Sequence, residues 1–402
     1  MSWEYVALGE LYEVHNGLSK GGKFFGKGSP FLSFSTVFNK WFLPQELLDL
    51  VQSTDNEQQS YSILRGDVFI TRTSETMDEL GMSSVALKDY NHATYNGFTK
   101  RLRPINPERV LPEFIGYYLR TPVFRAGFTA FSTMTTRASL RNEDLLSMKV
   151  PVPDMQTQKH IASILSAYDD LVENNQKQIK LLEEAAQRLY KEWFVDLRFP
   201  GHETTPIVDG IPEGWERMVL SEVTSVLKRG ISPKYSDNGK YSVINQKCIR
   251  SSIMDISESR RQEKEYAPTL NLQDSDTVIC STGTGTLGRV GRVYGDYPNT
   301  TFDSHVTLVR AKENPNYIYH VVKSQQEYLM GMGRGSTNQQ ELYRDVIERL
   351  VVLCPSQDIL LKAERVLNAI HCKIKAVYLQ NNLLVESRDR LLPKLMSGEI
   401  EV

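Results

Sequence analysis

Residues 181–189 of the sequence read LLEEAAQRL, and residues 383–391, which lie 202 positions later, read LLVESRDRL. Both stretches belong to longer segments in which apolar residues recur at alternating spacings of four and three. That spacing places the apolar side chains in one narrow stripe along an α-helix, as in a coiled coil. The sequence therefore predicts two long helices of similar length and phase, one near the middle of the chain and one near its end.

The predicted helices cover roughly residues 157–195 and 357–392. The stripe of the first consists of Ile161, Leu165, Tyr168, Val172, Asn175, Ile179, Leu182, Ala186, Leu189 and Trp193. The stripe of the second consists of Ala363, Leu367, Ile370, Ile374, Val377, Asn381, Leu384, Arg388, Leu391 and Leu395. Asn381 and Arg388 interrupt the second stripe, and Pro393 is expected to end the regular helix because it lacks an N–H group. Two unrelated helices, each packed on its own domain, are the alternative; the matched length and phase favour an antiparallel pair.

The regions that precede the two helices also resemble each other. A Trp-Glu pair opens each region, at Trp3 and at Trp215, and the segment GDVFI at 66–70 is echoed by SDTVI at 275–279. An offset that stays near 200 residues indicates two copies of one domain-plus-helix unit rather than a short-period solenoid. A protein built from two similar halves is expected to recognise two similar things.

Each region contains short β-branched or aromatic runs broken by Gly, Asn, Pro and Ser, together with one short amphipathic helix. The predicted short helices are residues 113–119 and 317–325. The fold class predicted is mixed α/β, with two similar domains, two long antiparallel coiled-coil helices and a pseudo-twofold internal repeat. The predicted boundaries are residues 1–155 for the first domain, 156–199 for the central helix, 200–355 for the second domain and 356–402 for the C-terminal helix.

Composition places limits on the class of protein. The 402 residues are 40% hydrophobic and 24% charged, which is ordinary for a globular chain with apolar cores. The four cysteines show no CxxC spacing, so the sequence predicts reduced thiols and no zinc site. The chain has no apolar run long enough for a membrane span and no signal-peptide pattern at its start, which predicts a cytoplasmic protein. A formal net charge of −2 means that nucleic-acid binding would depend on local basic patches or on partners.

Two glycine-rich motifs suggest nucleotide binding but lack the context that it requires. Residues 283–288 read GTGTLG, but the residues that follow predict another strand and not a helix whose N-terminus could hold a pyrophosphate. Residues 21–27 nearly match a P-loop, but Gly28 stands where serine or threonine would bind magnesium. The seven histidines show no metal-ligand spacing, and His160, His305 and His371 are expected to be structural residues. The sequence predicts no catalytic residue, no cofactor and no metal.

Polar loops at matching places in the two regions are the remaining candidates for a binding site. Their Arg, Lys, Thr, Asn and Gln side chains can hydrogen-bond to base edges or phosphates. The candidates in these loops are Lys20, Lys23, Arg137 and Arg141 in the first region and Lys228, Arg229, Lys234, Tyr235, Arg334, Thr337, Asn338 and Gln340 in the second.

The whole chain resembles the specificity (S) subunit of bacterial type I restriction–modification enzymes. The segments that carry the resemblance are the central one at residues 189–202, the C-terminal one at 390–400, the Pro-Glu-Gly-Trp entry at 212–215 and the glycine-rich loop at 280–288. That loop adds Thr282 and Thr284 to the candidate DNA-binding residues. In the first region, Arg72 is the candidate from the corresponding segment, which lacks the later glycines.

The resemblance implies that each α/β domain is a target-recognition domain for one half of a bipartite double-stranded DNA target. It also implies that the helices set the spacing between the half-sites and bind two methyltransferase (modification) subunits, which restriction (motor and nuclease) subunits join. The candidate partner-binding residues, expected on the solvent faces of the helices outside the stripes, are Lys177, Lys180, Glu183, Gln187, Lys375, Gln380 and Asn382. The alternative is a non-catalytic adaptor that bridges two protein partners with its two similar domains.

Overall fold

The computed structural model describes residues 3–74, 80–131, 138–335 and 340–402. Its contacts divide the chain into two compact units. Unit 1 comprises Met1–Asn174 and Asn381–Val402, and unit 2 comprises Asn175–Gln380. Each unit thus includes part of each long helix, whereas the sequence-based boundaries separate the helices from the domains.

Unit 1 is a mixed α/β unit of short strands and short helices, as the sequence predicts. Its strands are β1 (Glu4–Ala7), β2 (Tyr12–Asn16), β3 (Phe25–Leu32), β4 (Leu50–Val51), β5 (Val68–Thr71), β6 (Thr73–Ser74), β7 (Ser83–Val85), β8 (Thr94–Tyr95), β9 (Thr99–Pro104), β10 (Ala138–Ser139) and β11 (Lys149–Val152). Its short helices are α1 (Leu8–Leu11), α2 (Phe34–Asn39), α3 (Asp55–Ser60), α4 (Pro112–Tyr118), α5 (Pro122–Phe131) and α6 (Asn142–Ser147).

Two long helices run through both units. They are α7 (Met155–Tyr190), which continues as a π-turn over Lys191–Val195, and α12 (Gln357–Ser397). Their ranges agree closely with the predicted segments.

Unit 2 has the same kinds of elements as unit 1. Its strands are β12 (Ile207–Val208), β13 (Ile211–Pro212), β14 (Glu216–Val219), β15 (Thr224–Arg229), β16 (Tyr241–Ile244), β17 (Arg260–Gln262), β18 (Thr277–Cys280), β19 (Val290–Arg292), β20 (Thr300–Phe302), β21 (Val306–Ala311) and β22 (Val351–Cys354). Its short helices are α8 (Leu220–Val223), α9 (Pro315–Ser324), α10 (Gln326–Gly331) and α11 (Arg344–Glu348).

The two units share one sheet topology, which confirms the internal repeat. Unit 1 contains an antiparallel sheet of order β2-β9-β5-β7, and unit 2 contains its counterpart of order β15-β21-β18-β19. A second, three-stranded sheet is β4-β3-β8 in unit 1 and β17-β16-β20 in unit 2. In each unit the strand that follows the tryptophan of the Trp-Glu pair is paired with the strand before the long helix, β1 with β11 and β14 with β22.

A buried ion pair recurs at the same place in both copies. The Arg103 guanidinium donates to both carboxylate oxygens of Asp67 at 2.6 and 2.8 Å, and Arg310 binds Asp276 in the same two-pronged way at 2.7 Å. Burial raises the pKa of the Asp276 carboxyl, which Arg310 opposes. In unit 1 the ion pair joins β9 to the residue that precedes the adjacent strand β5. In unit 2 it joins β21 to the residue that precedes the adjacent strand β18.

The apolar stripes of the long helices are buried within each unit, as predicted. In unit 1, Ile161 and Leu165 of α7 join Leu392, Leu395 and Met396 of α12 in one apolar core. In unit 2, a separate apolar cluster contains Ile179 of α7 and Ile374 and Val377 of α12, with Leu182 and Ile370 packed against it. Because the numbers rise along one helix as they fall along the other, the two segments are antiparallel in each unit.

Two polar positions of the stripes, Asn175 and Arg388, are paired with side chains of the facing helix. In unit 2, the Asn175 amide donates to Gln380 Oε1 at 3.2 Å. In unit 1, the Arg388 guanidinium binds the Asp169 carboxylate at 2.5 Å and lies over the Trp41 ring, 4.7 Å from its centroid. A charged residue is therefore tolerated in the stripe because a carboxylate on the facing helix neutralises it.

The prediction that Pro393 ends the second helix is wrong, because α12 continues through it to Ser397. Proline in a helix interior costs about 3 kcal/mol. The neighbouring side chains of Leu392, Leu395 and Met396 are at most 4% exposed, and each contributes roughly 1.5–3 kcal/mol by burial. Core packing on both sides of the proline therefore outweighs the lost hydrogen bond.

The predicted short helices pack against the long helices through equivalent polar contacts. In unit 1, the Tyr117 hydroxyl of α4 donates to Asp169 of α7 at 2.6 Å. In unit 2, Nε2 of His320 in α9 lies 3.0 Å from Nε2 of His371 in α12, and the Tyr294 hydroxyl lies 2.8 Å from His371 Nδ1. His371 is therefore a buried, hydrogen-bonded structural residue, as the sequence predicts.

Candidate nucleic-acid interface

Three polar segments of unit 2 meet at one end of the two central strands of its four-stranded sheet, β18 and β21. Ser281, which follows β18, receives a backbone hydrogen bond from Leu342 at 2.8 Å and donates one to His305, which precedes β21, at 2.7 Å. Thr282 and Glu341 form a β-bridge beside them. We refer to Ser281, His305 and Leu342 as corner 2. It brings together the glycine-rich loop and the segment after Gly333, which are separate in sequence.

Unit 1 contains the same backbone arrangement at the equivalent strand ends. The Leu140 amide donates to the Arg72 carbonyl at 3.0 Å, and the Arg72 amide donates to the Phe98 carbonyl at 3.1 Å. We refer to Arg72, Phe98 and Leu140 as corner 1. The two corners have one hydrogen-bond pattern but different side chains at two of their three positions.

Corner 1 carries a concentration of positive charge. The Arg72 Nε atom is buried and has no hydrogen-bond partner among the described residues. The Lys100 ammonium binds Asn142 Oδ1, and burial, together with the nearby Arg72 cation, lowers the pKa of Lys100. Within the described ranges no carboxylate is bound to either cation, and such a pair is suited to an anionic ligand such as a phosphate.

Corner 2 is lined mainly by hydroxyl and imidazole groups. Thr282 Oγ1 lies 2.6 Å from His305 Nδ1, and Ser281 Oγ lies 2.6 Å from Thr307 Oγ1. The Arg229 guanidinium donates to the Ser304 carbonyl at 2.5 Å and also binds the Glu341 carboxylate. This corner can hydrogen-bond in several directions with little net charge, so its recognition chemistry differs from that of corner 1.

The loops after β2 and β15, both predicted to bind DNA, lie beside the two corners. A Cβ on Gly17 would lie 2.1 Å from the Asn96 carbonyl oxygen, and a Cβ on Gly230 would lie 2.3 Å from the Asp303 carbonyl oxygen. Only glycine permits these close approaches. The approach places Ser19 next to Gly97, where its hydroxyl would lie 2.2 Å from an added Cβ.

The predicted DNA-binding side chains of unit 1 have different surroundings. The Lys20 ammonium binds the Glu57 carboxylate at 2.7 Å and the Gln52 carbonyl at 2.6 Å. The hydrogen bond from Lys20 lowers the pKa of Glu57. Lys23 is exposed and lies 5.1 Å from the Phe24 ring centroid. Arg141 is exposed and binds Asp144 at 2.7 Å. Lys20 is therefore already occupied within the protein.

In unit 2 the predicted side chains are mostly exposed. Lys228, Thr284 and Gln340 are exposed, and Lys234 is exposed but paired with Glu263 at 2.9 Å. Arg334 lies over the Tyr343 ring at 5.6 Å.

The Tyr235 ring is covered by the Arg260 guanidinium at 3.7 Å. The sequence does not predict a role for Arg260, because this residue lies 25 positions from Tyr235 along the chain. Arg137, Thr337 and Asn338 lie outside the described residues. The role of every selected residue in DNA binding stays a prediction.

The predicted partner-binding residues lie along α7 and α12. Lys177, Lys180, Gln187, Gln380 and Asn382 are exposed. Lys375 is half-buried and pairs with Asp274 of its own unit at 3.0 Å.

The expectation that Glu183 faces solvent is wrong. It is half-buried, and burial raises the pKa of its carboxyl, opposed by Lys323 and by a hydrogen bond with Ser252. Helix periodicity correctly placed Glu183 outside the apolar stripe. It could not show that residues of the α/β domain, such as Ser252 and Lys323, lie against that face of the helix.

Large apolar side chains are also exposed on the long helices, at positions outside the heptad stripes. In unit 1 these are Leu171 and Leu383, which are 48% and 64% exposed. In unit 2 they include Leu181 and Leu379, which are 65% and 42% exposed. Exposed apolar side chains of this kind mark a protein-binding surface where they form a contiguous patch.

The described ranges contain neither a cluster of three or more His, Cys, Asp or Glu suited to a metal ion nor a helix both long and apolar enough to cross a bilayer. The glycine-rich loop lies between β18 and β19, as the sequence predicts, and no helix begins in it.

Two copies of one α/β fold with differently equipped corners define a duplicated recognition protein. The family model for the type I restriction modification DNA specificity domain matches residues 1–184 and 212–359, and the chain belongs to this family. The resemblance inferred from the helical segments is thereby confirmed.

The chain is similar over most of its length to curated members of the family. It is 28% identical over 313 residues to the type I restriction enzyme MjaIX specificity subunit of Methanocaldococcus jannaschii, which covers 74% of this chain and 71% of that protein. It is 22% identical over 448 residues to the HindI specificity subunit of Haemophilus influenzae, covering 92% and 94%. Among solved structures, the S subunit of a type I restriction–modification system from M. genitalium has the same fold, with a TM-score of 0.56 at 15% identity over 98% of this chain and 96% of that one.

Proposed function

We propose that this chain is the DNA specificity subunit of a type I restriction–modification complex, in which corner 1 and corner 2 each contact one half of a bipartite target. The subunit contributes no chemistry itself and directs methyltransferase subunits, and restriction subunits where they are present, to the DNA. A cytoplasmic location is part of this proposal.

The observation that carries the proposal is that the two corners share one backbone hydrogen-bond pattern but present different side chains. Arg72 in corner 1 stands where Ser281 stands in corner 2, on the same backbone hydrogen bonds. A shared frame presents side chains to the same kind of ligand, whereas different side chains select different base pairs. This combination is expected of a protein that recognises two unlike half-sites.

Partner binding is assigned to the exposed faces of α7 and α12. Leu181 and Leu383 are about two-thirds exposed, at 65% and 64%. Covering such a leucine contributes roughly 1.5–3 kcal/mol, which exceeds the 0–1 kcal/mol typical of a surface ion pair. The methyltransferase contact is therefore proposed to depend on these leucines, with Lys177, Lys180 and Asn382 around them.

The test is the pattern of methylated bases in cells that express the chain with its methyltransferase. Single-molecule sequencing should give one bipartite motif with wild-type protein. Arg72→Ala should weaken methylation by changing one half of the motif or the affinity for DNA. Lys88→Ala is the matched control. Lys88 is an exposed cation of the same unit, and it follows β7, which is antiparallel to β5. It therefore lies near the start of β5, whereas Arg72 follows the end of β5.

The alternative of a protein adaptor predicts a different result. An adaptor would give no sequence motif that depends on this chain, and its partner interactions would persist without DNA. Methylation that is identical with and without the chain would contradict the proposed function.

A further inference from the structure

Both corners are built on one kind of turn, which the two copies form from different residues. In unit 1, Asn96 Oδ1 accepts a hydrogen bond from the Phe98 amide at 2.7 Å. In unit 2, Asp303 Oδ1 accepts from the His305 amide at 2.9 Å. The next residue then donates to the carbonyl of Asn96 or Asp303, at 3.0 Å in each case. These are matched Asx turns, which hold the middle of the turn rigidly.

Each turn projects one ring side chain from a run of buried residues. Phe98 is 54% exposed, although Gly97 and Thr99 on either side of it are buried. His305 is exposed, although Asp303 and Val306 are 1% and 0% exposed. Leaving a phenylalanine in water forgoes roughly 1.5–3 kcal/mol of burial. A rigid turn that keeps it there in free protein is suited to a ligand that covers it.

The two rings also have the polar surroundings of the corners. The Phe98 carbonyl accepts a hydrogen bond from the Arg72 amide, and the His305 carbonyl accepts one from the Ser281 amide. Each ring therefore occupies the same position in the backbone hydrogen-bond pattern that the two corners share. The His305 ring is oriented by Thr282 Oγ1, which lies 2.6 Å from Nδ1. Among the described residues, none is hydrogen-bonded to Nε2 of this ring. That nitrogen remains available to a base edge.

We propose that Phe98 and His305 are specificity-determining residues that contact equivalent positions of the two half-sites. Phe98 makes apolar contact with the methyl group of a thymine, and His305 hydrogen-bonds through Nε2 to a base edge in the major groove. The inference rests on the proposed function and extends it to single base pairs. It also assigns a binding role to His305, for which the sequence predicts only a structural one.

The experiment uses the full chain with its methyltransferase subunit and compares methylated motifs and competition binding to a library of duplexes. Phe98→Ala should lower the preference for thymine at one position of one half-site by about 10-fold, and His305→Ala should lower base preference at one position of the other half by 10- to 100-fold. The salt dependence of binding should be unchanged by Phe98→Ala, because that change removes no cation.

Each variant has a matched control on the opposite end of the same strand. Ile105 follows β9, which Phe98 precedes, and is likewise 54% exposed, so Ile105→Ala removes a comparable apolar surface. Glu313 lies beyond the end of β21, which His305 precedes, and is exposed, so Glu313→Ala is the second control. Both controls should leave the motif and the affinity as in wild type.

The outcomes separate this inference from the proposed function. Absence of any motif with wild-type chain overturns the proposed function. A wild-type motif that stays unchanged in Phe98→Ala and His305→Ala, or a loss spread equally over both half-sites, overturns the assignment of these residues. Circular dichroism and gel filtration with the methyltransferase check folding and assembly. If an alanine variant fails either check, Phe98→Leu and His305→Gln replace it and are expected to alter preference at the same positions.

Discussion

Lowering the pH should loosen the contact between α9 and α12 in unit 2, because two buried histidines form part of it. Nε2 of His320 and Nε2 of His371 lie 3.0 Å apart, so one nitrogen must donate and the other accept. Burial, together with the Arg292 and Lys323 cations, lowers the pKa of His320 to about 3, and burial and Arg292 lower the pKa of His371 to about 2. Two carboxylates lie in this region. Burial raises the pKa of Glu183, and Glu364 of α12 accepts hydrogen bonds from Asn316 and Tyr317 of α9.

The direction and size of the effect follow from linkage. Both folded-state pKa values lie below the ordinary value near 6.5, so the stability that the neutral pair contributes is complete above about pH 6.5 and is lost as the pH falls toward 3. At pH 5.0 an opened state gains about 2 kcal/mol from protonating each imidazole, or about 4 kcal/mol for both. Such a loss is a large part of the stability of an ordinary domain.

Hydrogen exchange measured by mass spectrometry tests this locally, and a local probe is needed because a chain with two units need not unfold in one step. After correction for intrinsic exchange, the opening free energy of Pro315–Ser324 should fall by about 4 kcal/mol from pH 7.5 to 5.0. His371→Gln should reduce the fall to about 2 kcal/mol, because one titrating imidazole remains. His160→Gln, a change at an exposed helix residue, should leave it unaltered.

A fall below about 1 kcal/mol in wild type would refute the reasoning, as would an undiminished fall in His371→Gln. Residues Pro112–Tyr118 of unit 1 provide an internal comparison. There the equivalent contact joins Tyr117 to the Asp169 carboxylate and contains no imidazole.

Three further results are expected. Asp276→Asn should destabilise unit 2 by about 3–5 kcal/mol in urea titrations, because it leaves the Arg310 charge without its buried partner; a loss under about 1 kcal/mol would mean that the pair contributes little. Leu181→Asp should prevent co-elution with the methyltransferase in gel filtration while the circular dichroism spectrum stays unchanged, and an intact complex would place the partner surface elsewhere. A heptad inserted between Gln178 and Ala185, with one at the matching turn of α12, adds roughly 10 Å of helix, so sequencing should show a spacer about three base pairs longer with unchanged half-sites; an active enzyme with the original spacer would contradict a ruler role for the helices.

Much of the architecture could be predicted because it depends on local pattern and repetition. The positions of Ile161, Leu165, Ile374 and Leu395 in a heptad stripe predicted burial, since helix periodicity alone decides which side faces a neighbour. The internal repeat predicted paired strands and helices at matching positions, and the strands found at Val68–Thr71 and Thr277–Cys280 confirm it.

The corners could not be predicted from sequence, because residues distant along the chain meet there. Arg72, Phe98 and Leu140 are joined by backbone hydrogen bonds that depend on strand register. Ser281 and His305 of unit 2 are equivalent in position to Arg72 and Phe98 of unit 1 but differ from them chemically. The sequence repeat therefore does not identify these positions. The Asn96 and Asp303 turns are short polar segments of a common kind, and only their shared position in two folded copies distinguishes them from other loops.

By itself, the sequence determined the two-copy organisation, the mixed α/β class and the two long helices, because periodicity and repetition are properties of the chain order. Only the tertiary structure decided which polar groups remain available. Lys20 and Lys234 are occupied by carboxylates, whereas the Arg72 Nε atom is left without a partner in the described part of the chain. It also decided that α12 continues through Pro393. In each case the physical reason is packing or pairing between residues far apart in sequence, which outweighs the local preference of any one of them.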